Sequence, residues 1–465
     1  MTERRFRELL AARAADCKVP GASAAIFCDG KVLTAATGVL NVETGVAVTP
    51  DSIFQIGSIT KVMTATLVMQ LAQAHDLDLH DPVLRYLPDL RRNASVAWEG
   101  VTIRQLLAHS SGIDGDFIID CGPGPDAVTR YVGRCSELDR LFNPGGGVSY
   151  CTAGYVVLGR ITEIVARSTW EVLFLNRIAS PLARSSLLSH PKEVSQFQIA
   201  VGHVCDETGR YRIPRRTQLP AALAPAGSTV AATASDLVAF ALAHLGDERI
   251  RESTGLLYPD TAISMRDAAA SLPAPQWYQH HRGLGWALFD WDGHRIFGHD
   301  GGTIGQSSSL RVSPQHSLVV ALLANGGDAR RFHDLLSREI LMDLAGLKAP
   351  APPPDIELCT ERRGRLTGTY QTATTRIDVL DSVDGLYMRT TTMTSPGEPI
   401  TTSENIVAVS EYACRTTARD GRTPEAIVFH GGDEVGRPRF LTVRTRTHRR
   451  VTPEKSIATY DKSPH

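Results

Sequence analysis

The segment FQIGSITKVMTATLVMQ, residues 54–70, places a lysine three positions after a serine at the start of a long apolar run. The run is apolar on nearly every side, which predicts a buried helix over residues 59–76. Positions three apart on a helix share one face, so the side chains of Ser58 and Lys61 come within reach of each other. Gly57 permits a sharp entry into the helix.

The pair of Ser58 and Lys61 supports two interpretations. In the first, an ammonium beside apolar residues loses proton affinity, and the neutral amine of Lys61 takes the proton of a nucleophilic Ser58. In the second, Ser58 caps a helix and Lys61 extends its ammonium to solvent. The Ser-x-x-Lys spacing is common in proteins, so the choice between these two interpretations depends on the rest of the sequence.

Composition narrows the class of protein. The chain has 465 residues, 42% of them hydrophobic, and this length and apolar content predict two domains. The formal charge of −1 gives no reason to expect nucleic acid or an anionic membrane as a partner. The N-terminal residues lack an apolar segment of secretory length, and no window approaches the roughly 20 apolar residues that span a bilayer. Eight scattered cysteines without a CxxC pair look like reduced thiols. We therefore expect a soluble cytoplasmic protein.

Periodicity divides the chain into three parts. A hairpin pattern at residues 22–40, helical patterns from about 80 to 250 and strand patterns from about 282 predict one domain over residues 1–346, with its sheet completed by the C-terminal part. The proline-rich segment LKAPAPPPDIE, residues 347–357, predicts a linker. Short β-like runs without a helical period predict a small antiparallel barrel or sandwich over residues 358–465.

Two further segments carry candidate residues. In NPGGGVSYCTAGYVVLG, residues 143–159, a glycine-rich loop precedes a helix and presents Tyr150, either as a proton relay or as a half-buried tyrosine with a satisfied hydroxyl. In FGHDGGTIGQSSSLRV, residues 297–312, a strand ends at His299, and the amide of Gly302 could donate to an oxyanion. The alternative there is a hairpin loop with an incidental histidine.

These segments together resemble the serine β-lactamase and penicillin-binding-protein superfamily, in its class C-like branch of esterases, D-aminopeptidases, DD-peptidases and transacylases. The motifs of that branch are Ser-x-x-Lys, Tyr-x-Asn and Lys/His-x-Gly, matched here by Ser58–Lys61, Tyr150–Thr152 and His299–Gly301. The stretches VPGASAAI, TIRQLLAHSSGI and GYVVLGRITE add to the likeness, which covers residues 1 to about 346. The C-terminal part resembles the lipocalin-like β domain that some members append.

The resemblance implies an α+β fold, with an antiparallel sheet flanked by helices and an all-helical subdomain at about residues 80–250. It implies that Ser58 is the acylated nucleophile and that Lys61 and Tyr150 share the general-base and proton-return duties. His299 would polarise Tyr150 or position a substrate carboxylate. The amides of Ser58 and Gly302 would form the oxyanion hole.

The substrate-binding residues implied by the same motifs are Thr152, Asp300 and Gly301. Thr152 replaces the usual asparagine, and a hydroxyl reaches less far and lacks the paired donor and acceptor of an amide. Together with a histidine in place of lysine, this favours esters or differently shaped amides over penicillin-like acylamides.

The C-terminal segment FLTVRTRTHRR is predicted to place Arg444 and Arg446 on one strand face. These arginines either form a solvated face or supply a clamp for a substrate carboxylate.

The expected function is that of a serine hydrolase or acyltransferase acting on an ester or amide small molecule, without a metal or other cofactor. Its partners would be an acyl donor and an acceptor, which is water, an amine or an alcohol. The alternatives are a D-aminopeptidase or DD-peptidase, a β-lactamase-type hydrolase, a trans-acting peptide cyclase, and a non-catalytic binding protein on the same fold. The oligomeric state stays open.

Overall fold

The computed structural model of the protein describes residues 1–94, 96–189, 198–206, 208–246, 252, 254–393, 399–417 and 424–452. Two β structures organise it: an open antiparallel sheet of eight strands, and a closed antiparallel barrel of eight strands further along the chain. In the part of the chain that is described, none of the helices has both the length and the apolar character needed to cross a membrane.

The open sheet is built from both ends of the first part of the chain. The strands there are β1 (Gly21–Cys28), β2 (Lys31–Gly38), β3 (Phe54–Gln55), β4 (Val204–Cys205), β5 (Tyr211–Arg212), β6 (Ala231–Ala232), β7 (Ala270–Ser271), β8 (His281–Arg282), β9 (Ala287–Trp291), β10 (His294–Gly302), β11 (Ser307–Ser313) and β12 (Leu318–Ala324). The sheet order is β2-β1-β12-β11-β10-β9-β8-β7, so β1 pairs with β12 across almost 300 residues of chain. The predicted completion of the sheet by the later strands is confirmed.

Helices pack on both faces of this sheet. The helices of the first part of the chain are α1 (Glu3–Asp16), α2 (Thr60–Gln73), α3 (Val83–Tyr86), α4 (Ile103–Leu107), α5 (Ala127–Arg134), α6 (Thr152–Ala166), α7 (Trp170–Phe174), α8 (Ala234–Leu242), α9 (Pro259–Met265) and α10 (Ala329–Ala345), and α11 (Thr360–Leu366) comes just before the barrel. One face carries α1 and α10, whose apolar side chains pack on β1 and β12. The other face carries the larger core around α2, α6 and α8. Among the described residues between 80 and 246, helices and loops dominate, and each strand is two residues long.

Helix α2 lies at the centre of the larger core. Its residues from Thr60 to Met69 are all buried, as the apolar run predicts, and the buried set includes Lys61 at 1% exposure. The observed helix starts one residue later and ends three residues earlier than predicted. A helix buried on all sides holds its first turn rigidly, because every side of it is packed against other elements.

Residues 346–359, all of them described, contain no helix or strand and lead into the barrel. The barrel strands are β13 (Gly368–Gln371), β14 (Thr375–Ser382), β15 (Gly385–Thr392), β16 (Ile400–Ser410), β17 (Ala413–Thr416), β18 (Ala426–Gly432), β19 (Pro438–Val443) and β20 (Arg446–Val451). The predicted α+β fold with an antiparallel barrel is confirmed, whereas the expectation that this part has no helix is wrong. The short helix α11 has the sequence TERRGRL, which is too polar and too brief to show an apolar period.

The barrel interior is filled by its own side chains. Tyr370, Val379, Phe429 and Leu441 are at most 2% exposed and belong to one apolar cluster inside the barrel. An eight-stranded barrel is just wide enough for side chains to fill it. The inside of the barrel is therefore a packed core, and its contribution to a binding site comes from its outer surface and its turns.

The barrel packs against the first part of the chain through apolar and polar contacts. Trp277, 3% exposed, lies on the outer barrel wall with Val409, Ala413 and Val428, and its indole N–H donates to the carbonyl of Pro424 at 2.9 Å. Three hydrogen bonds also join the barrel to the first part of the chain. The N–H of Ala373 donates to Asp114 Oδ2 at 2.7 Å, and Thr447 Oγ1 donates to the carbonyl of Val148 at 2.8 Å. Arg449 Nε donates to the carbonyl of Leu141 at 3.1 Å.

Truncation of Trp277 is expected to weaken this packing. Trp277→Ala removes a buried indole, which costs about 3–5 kcal/mol of free energy of unfolding at comparable sites. Urea unfolding and the rate of proteolytic cleavage in residues 346–359 measure the change. Val383→Ala, at a fully exposed turn, is the control, and equal stability of the two variants would contradict the expectation.

Asp114 makes the stability depend on pH. Burial, with the charges of Asp116 and Asp139, raises the pKa of Asp114 from 3.8 to about 7. The folded protein therefore holds the proton of this carboxyl group more tightly than the unfolded chain does. The resulting stabilisation is complete below about pH 4 and is lost as the pH rises through about 7. Asp114→Asn removes this dependence and keeps an acceptor for Ala373.

The variant Asp114→Asn should therefore gain stability relative to the wild-type protein, by up to a few kcal/mol, between pH 4 and pH 8. Thermal unfolding at several pH values tests this, with the exposed Asp384→Asn as the control. A stability difference that is the same at both ends of the pH range would contradict it.

Candidate active site

The turn that carries Ser58 is held by close backbone packing. A single helical turn, Gly57–Ile59, leads from β3 into α2. Gly57 has φ +52°, and a Cβ placed on it would lie 2.5 Å from the amide nitrogen of Gly302 at the end of β10. A Cβ on Gly227 would lie 2.1 Å from the carbonyl oxygen of Gly57 and 3.0 Å from the amide nitrogen of Ser58. Only glycine fits these positions, and the turn before Ser58 therefore packs directly against the backbone of Gly302 and of Gly227.

Lys61 joins Ser58 to the core behind it. Its Nζ donates to Ser58 Oγ at 3.1 Å and to the carbonyl of Ala226 at 2.7 Å. The same Nζ lies 5.0 Å from the centre of the Tyr150 ring. The structure thus brings together the serine, lysine and tyrosine that the sequence motifs single out.

Tyr150 lies where the side chains of three basic residues meet. Besides Lys61, the guanidinium carbons of Arg282 and Arg446 lie 5.3 Å and 4.9 Å from its ring centre. Its backbone N–H donates to the carbonyl of Thr445 in the barrel, at 2.8 Å. The cations face the ring of Tyr150, where attraction to the π system is favourable.

His299 is buried beside this group, with its ring centre 6.1 Å from that of Tyr150. Its Nδ1 lies 2.7 Å from the carbonyl oxygen of Asp300. A carbonyl only accepts, so Nδ1 carries the proton and Nε2 is the free acceptor. Burial, with the charges of Arg282 and Lys61, lowers the pKa of His299 to about 3, so the ring is neutral near pH 7.

Of the other motif residues singled out, Asp300 and Gly301 line the cavity at Ser58, and Thr152 does not. Thr152 begins α6 and is not among the residues that line the cavity at Ser58. Asp300 does line it, but its carboxylate already accepts from Ser309, Arg311 and Tyr278, at 2.7–3.0 Å. Burial alone would raise the pKa of Asp300, but the charge and hydrogen bonds of Arg311 hold it below its usual range.

The predicted shared strand face for Arg444 and Arg446 is wrong. The two-residue turn 444–445 separates β19 from β20, and Arg444 has φ +57°. Both side chains nevertheless line the cavity. Arg446 pairs with Asp116 through both carboxylate oxygens, and Arg444 binds Glu425 at 2.5 and 2.6 Å.

The cavity at Ser58 has a volume of about 450 Å³ and lies between the two parts of the chain. One wall comes from β8, β10 and β11, and the other from the barrel. The lining residues are Ser58, Tyr150, Gln276, Tyr278, Gln279, Arg282, Ala287, His299, Asp300, Gly301, Gly302, Ser307, Ser308, Arg330, His333, Pro424, Glu425, Ala426, Arg444, Thr445 and Arg446. The site is therefore composite, and it is large enough for a small-molecule ligand.

Arg282 is a cavity residue that no motif singles out. It is 3% exposed, and neither a carboxylate partner nor a side-chain hydrogen bond to it occurs among the described residues. By contrast, Arg446 forms an ion pair with Asp116, and Arg330 and Arg444 both form ion pairs with Glu425. An unpaired buried guanidinium is costly, which makes it a candidate for binding an anionic group. The sequence around it, HHRGLGW, offers no signal beyond the arginine itself.

His109 is a second residue without a predicted role, although its segment TIRQLLAHSSGI contributes to the family resemblance. It stacks on Tyr150 with ring centres 4.4 Å apart. No group of three or more His, Cys, Asp or Glu side chains that could hold a metal ion occurs within the described ranges.

Comparison with known proteins places this site in a family. The sequence model of the Beta-lactamase family matches residues 6–342. Penicillin-binding protein 4 of Amycolatopsis lactamdurans is 41% identical over 366 residues, which cover 76% of this chain and 93% of that protein.

Solved structures share the whole architecture, barrel included. SurE with D-Leu is 25% identical, with a TM-score of 0.76 over 97% of this chain and 99% of that one. The octameric penicillin-binding protein homologue from Pyrococcus abyssi is 23% identical, with a TM-score of 0.65 over the same shares, which shows a common fold. The chain thus belongs to the β-lactamase family, within the superfamily of serine hydrolases that includes the penicillin-binding proteins.

Proposed function

We propose that the protein forms an acyl-enzyme on Ser58 from an ester or amide small molecule and passes the acyl group to water, an amine or an alcohol. The observation that carries the proposal is the buried contact of Lys61 Nζ with Ser58 Oγ at 3.1 Å, next to the ring of Tyr150. A nucleophile within hydrogen-bond reach of a lysine that a third group flanks is the pattern of an activated serine. A cytoplasmic location is part of this proposal.

In the first step, Ser58 Oγ attacks the substrate carbonyl and its proton passes to Lys61 or Tyr150. The negative charge on the former carbonyl oxygen is stabilised by the amides of Ser58 and Gly302. The bond to the leaving group then breaks, and the leaving group takes the proton. In the second step, water, an amine or an alcohol gives a proton to Lys61 or Tyr150 and attacks the acyl carbonyl. The bond from the acyl carbon to Ser58 Oγ then breaks, and Ser58 Oγ takes that proton back.

His299 has a more limited role in this scheme. A neutral ring with its proton on Nδ1 presents Nε2 as an acceptor, which can receive a hydrogen bond from a hydroxyl but does not attract a carboxylate. The geometry therefore supports polarisation of Tyr150 over the alternative of holding a substrate carboxylate.

The ligand class follows from the charges in the cavity. Arg446, Arg444 and Arg330 have carboxylate partners, so the clamp expected of Arg444 or Arg446 fits Arg282 better. We propose that Arg282 binds a carboxylate of the substrate. The crystal structure of SurE with D-Leu supports an amino-acid-like ligand of D configuration, which favours a D-aminopeptidase-like or peptide-cyclising reaction as the second candidate.

The role of Ser58 is tested by intact-mass measurement after incubation with activated esters and thioesters, with and without amines. We expect an acyl adduct on the wild-type protein that is absent from Ser58→Ala, and a loss of turnover of at least about a thousand-fold. Ser382→Ala, at the exposed end of β14, is the control. Full turnover by Ser58→Ala would overturn the proposal, and the ratio of acid to amide products separates hydrolysis from transfer.

The role of Arg282 is tested with two donors that differ only in a carboxylate and its methyl ester. Arg282→Met should raise KM for the acidic donor roughly 10- to 100-fold, as a lost charge-assisted hydrogen bond of about 1.5–3 kcal/mol implies, and should change KM for the methyl ester little. The exposed barrel residue Arg389, as Arg389→Met, is the control. An equal change for both donors would exclude a carboxylate site.

A further inference from the structure

His109 contacts three consecutive residues around the candidate tyrosine. Its carbonyl accepts the N–H of Ser149 at 3.0 Å, and its Nδ1 accepts the N–H of Cys151 at 3.0 Å. Between these bonds its ring lies on the ring of Tyr150, with centres 4.4 Å apart and planes tilted by 30°. One side chain and its own backbone thus fix the segment 149–151 from both sides.

The backbone of His109 is itself in an unusual conformation. It follows α4 with φ +56°, a left-handed geometry that few residues other than glycine adopt. The side chain is 1% exposed and also stacks on Tyr155, with centres 4.9 Å apart. Such a conformation has a free-energy cost, and it persists where the surrounding structure determines it.

The ring of His109 is neutral and carries its proton on Nε2. An amide N–H only donates, so Nδ1 is unprotonated and the proton lies on Nε2. Burial, with the charges of Arg282 and Lys61, holds the pKa of His109 well below its usual value. The ring does not line the cavity, so it has no direct access to a substrate.

We propose that His109 is a positioning residue for Tyr150: it fixes the direction of the phenol relative to Lys61 and Ser58. The barrel completes the support, since the carbonyl of Thr445 accepts the N–H of Tyr150 at 2.8 Å. Proton transfer needs the donor and acceptor within hydrogen-bond reach, and a displacement of about 1 Å can cost a hundred-fold in rate. This inference rests on the proposed proton-carrying role of Tyr150.

A role in packing alone is the alternative, since His109 also contacts Tyr155. The two roles differ in their coupling to Tyr150. If His109 acts through Tyr150, its substitution has no further effect once the hydroxyl of Tyr150 is gone. If it only packs, the losses in rate multiply, because independent effects add in free energy.

The experiment is a double-mutant cycle with His109→Phe and Tyr150→Phe, read as kcat and KM for an activated ester. His109→Phe keeps a ring but leaves the N–H of Cys151 without its acceptor. We expect it to lower kcat 10- to 100-fold with KM changed less than about two-fold, and to have less than a two-fold effect in the Tyr150→Phe background. Multiplying losses would overturn the inference.

A second variant keeps the test decisive if His109→Phe folds poorly. His109→Asn suits a left-handed backbone and offers an amide oxygen to Cys151, so it should retain more activity than His109→Phe. Activity of His109→Asn below that of His109→Phe at equal melting temperature would also overturn the inference. Failure of the proposed function is recognised separately, as full turnover by Ser58→Ala with His109 intact.

Discussion

The buried amino group of Lys61 is the group on which the arrangement depends. Burying a polar group is costly unless protein atoms replace the hydrogen bonds that it made to water. Here Ser58 Oγ and the carbonyl of Ala226 do so, and the ring of Tyr150 lies on a further side. These partners come from different segments, so the start of α2, the short helical segment 221–226 and the tyrosine segment must all be in place together. The close glycine contacts and the burial of α2 from Thr60 to Met69 hold them there.

The second part of the chain contributes walls to the site and leaves its own interior closed. The packed barrel core excludes a ligand, whereas the turn between β19 and β20 meets Tyr150 through Thr445 and Arg446. The outer wall is anchored by Trp277 and by the amide of Ala373 on Asp114. The cavity therefore depends on packing between the two parts of the chain as much as on the segments that carry Ser58, Tyr150 and His299.

Local sequence signals predicted the elements near the site well. The run after Ser58 gave a helix within a few residues of its true ends, and the motifs around Tyr150 and His299 meet as the resemblance implied. Side-chain contacts between residues far apart in the sequence could not be predicted from these local signals. The pairing of Arg446 with Asp116 spans 330 positions, and the isolation of Arg282 is visible only once every nearby carboxylate has been placed. The end of β19 before Arg444 could not be predicted from the sequence. Its two-residue turn has an arginine at the left-handed position, where glycine or asparagine would have indicated a turn.

The contact between Tyr150 and Thr445 also has a consequence for biosynthesis. The ribosome makes Ser58, Lys61, Tyr150 and His299 well before Thr445, and at usual elongation rates the interval after His299 is on the order of ten seconds. During that time the first part of the chain can fold, yet the cleft lacks one wall and the tyrosine segment lacks one of its hydrogen bonds. The nascent protein therefore passes through a period in which Ser58 and Lys61 exist without their finished surroundings. A small molecule meets the completed cavity only after β20 has closed the barrel.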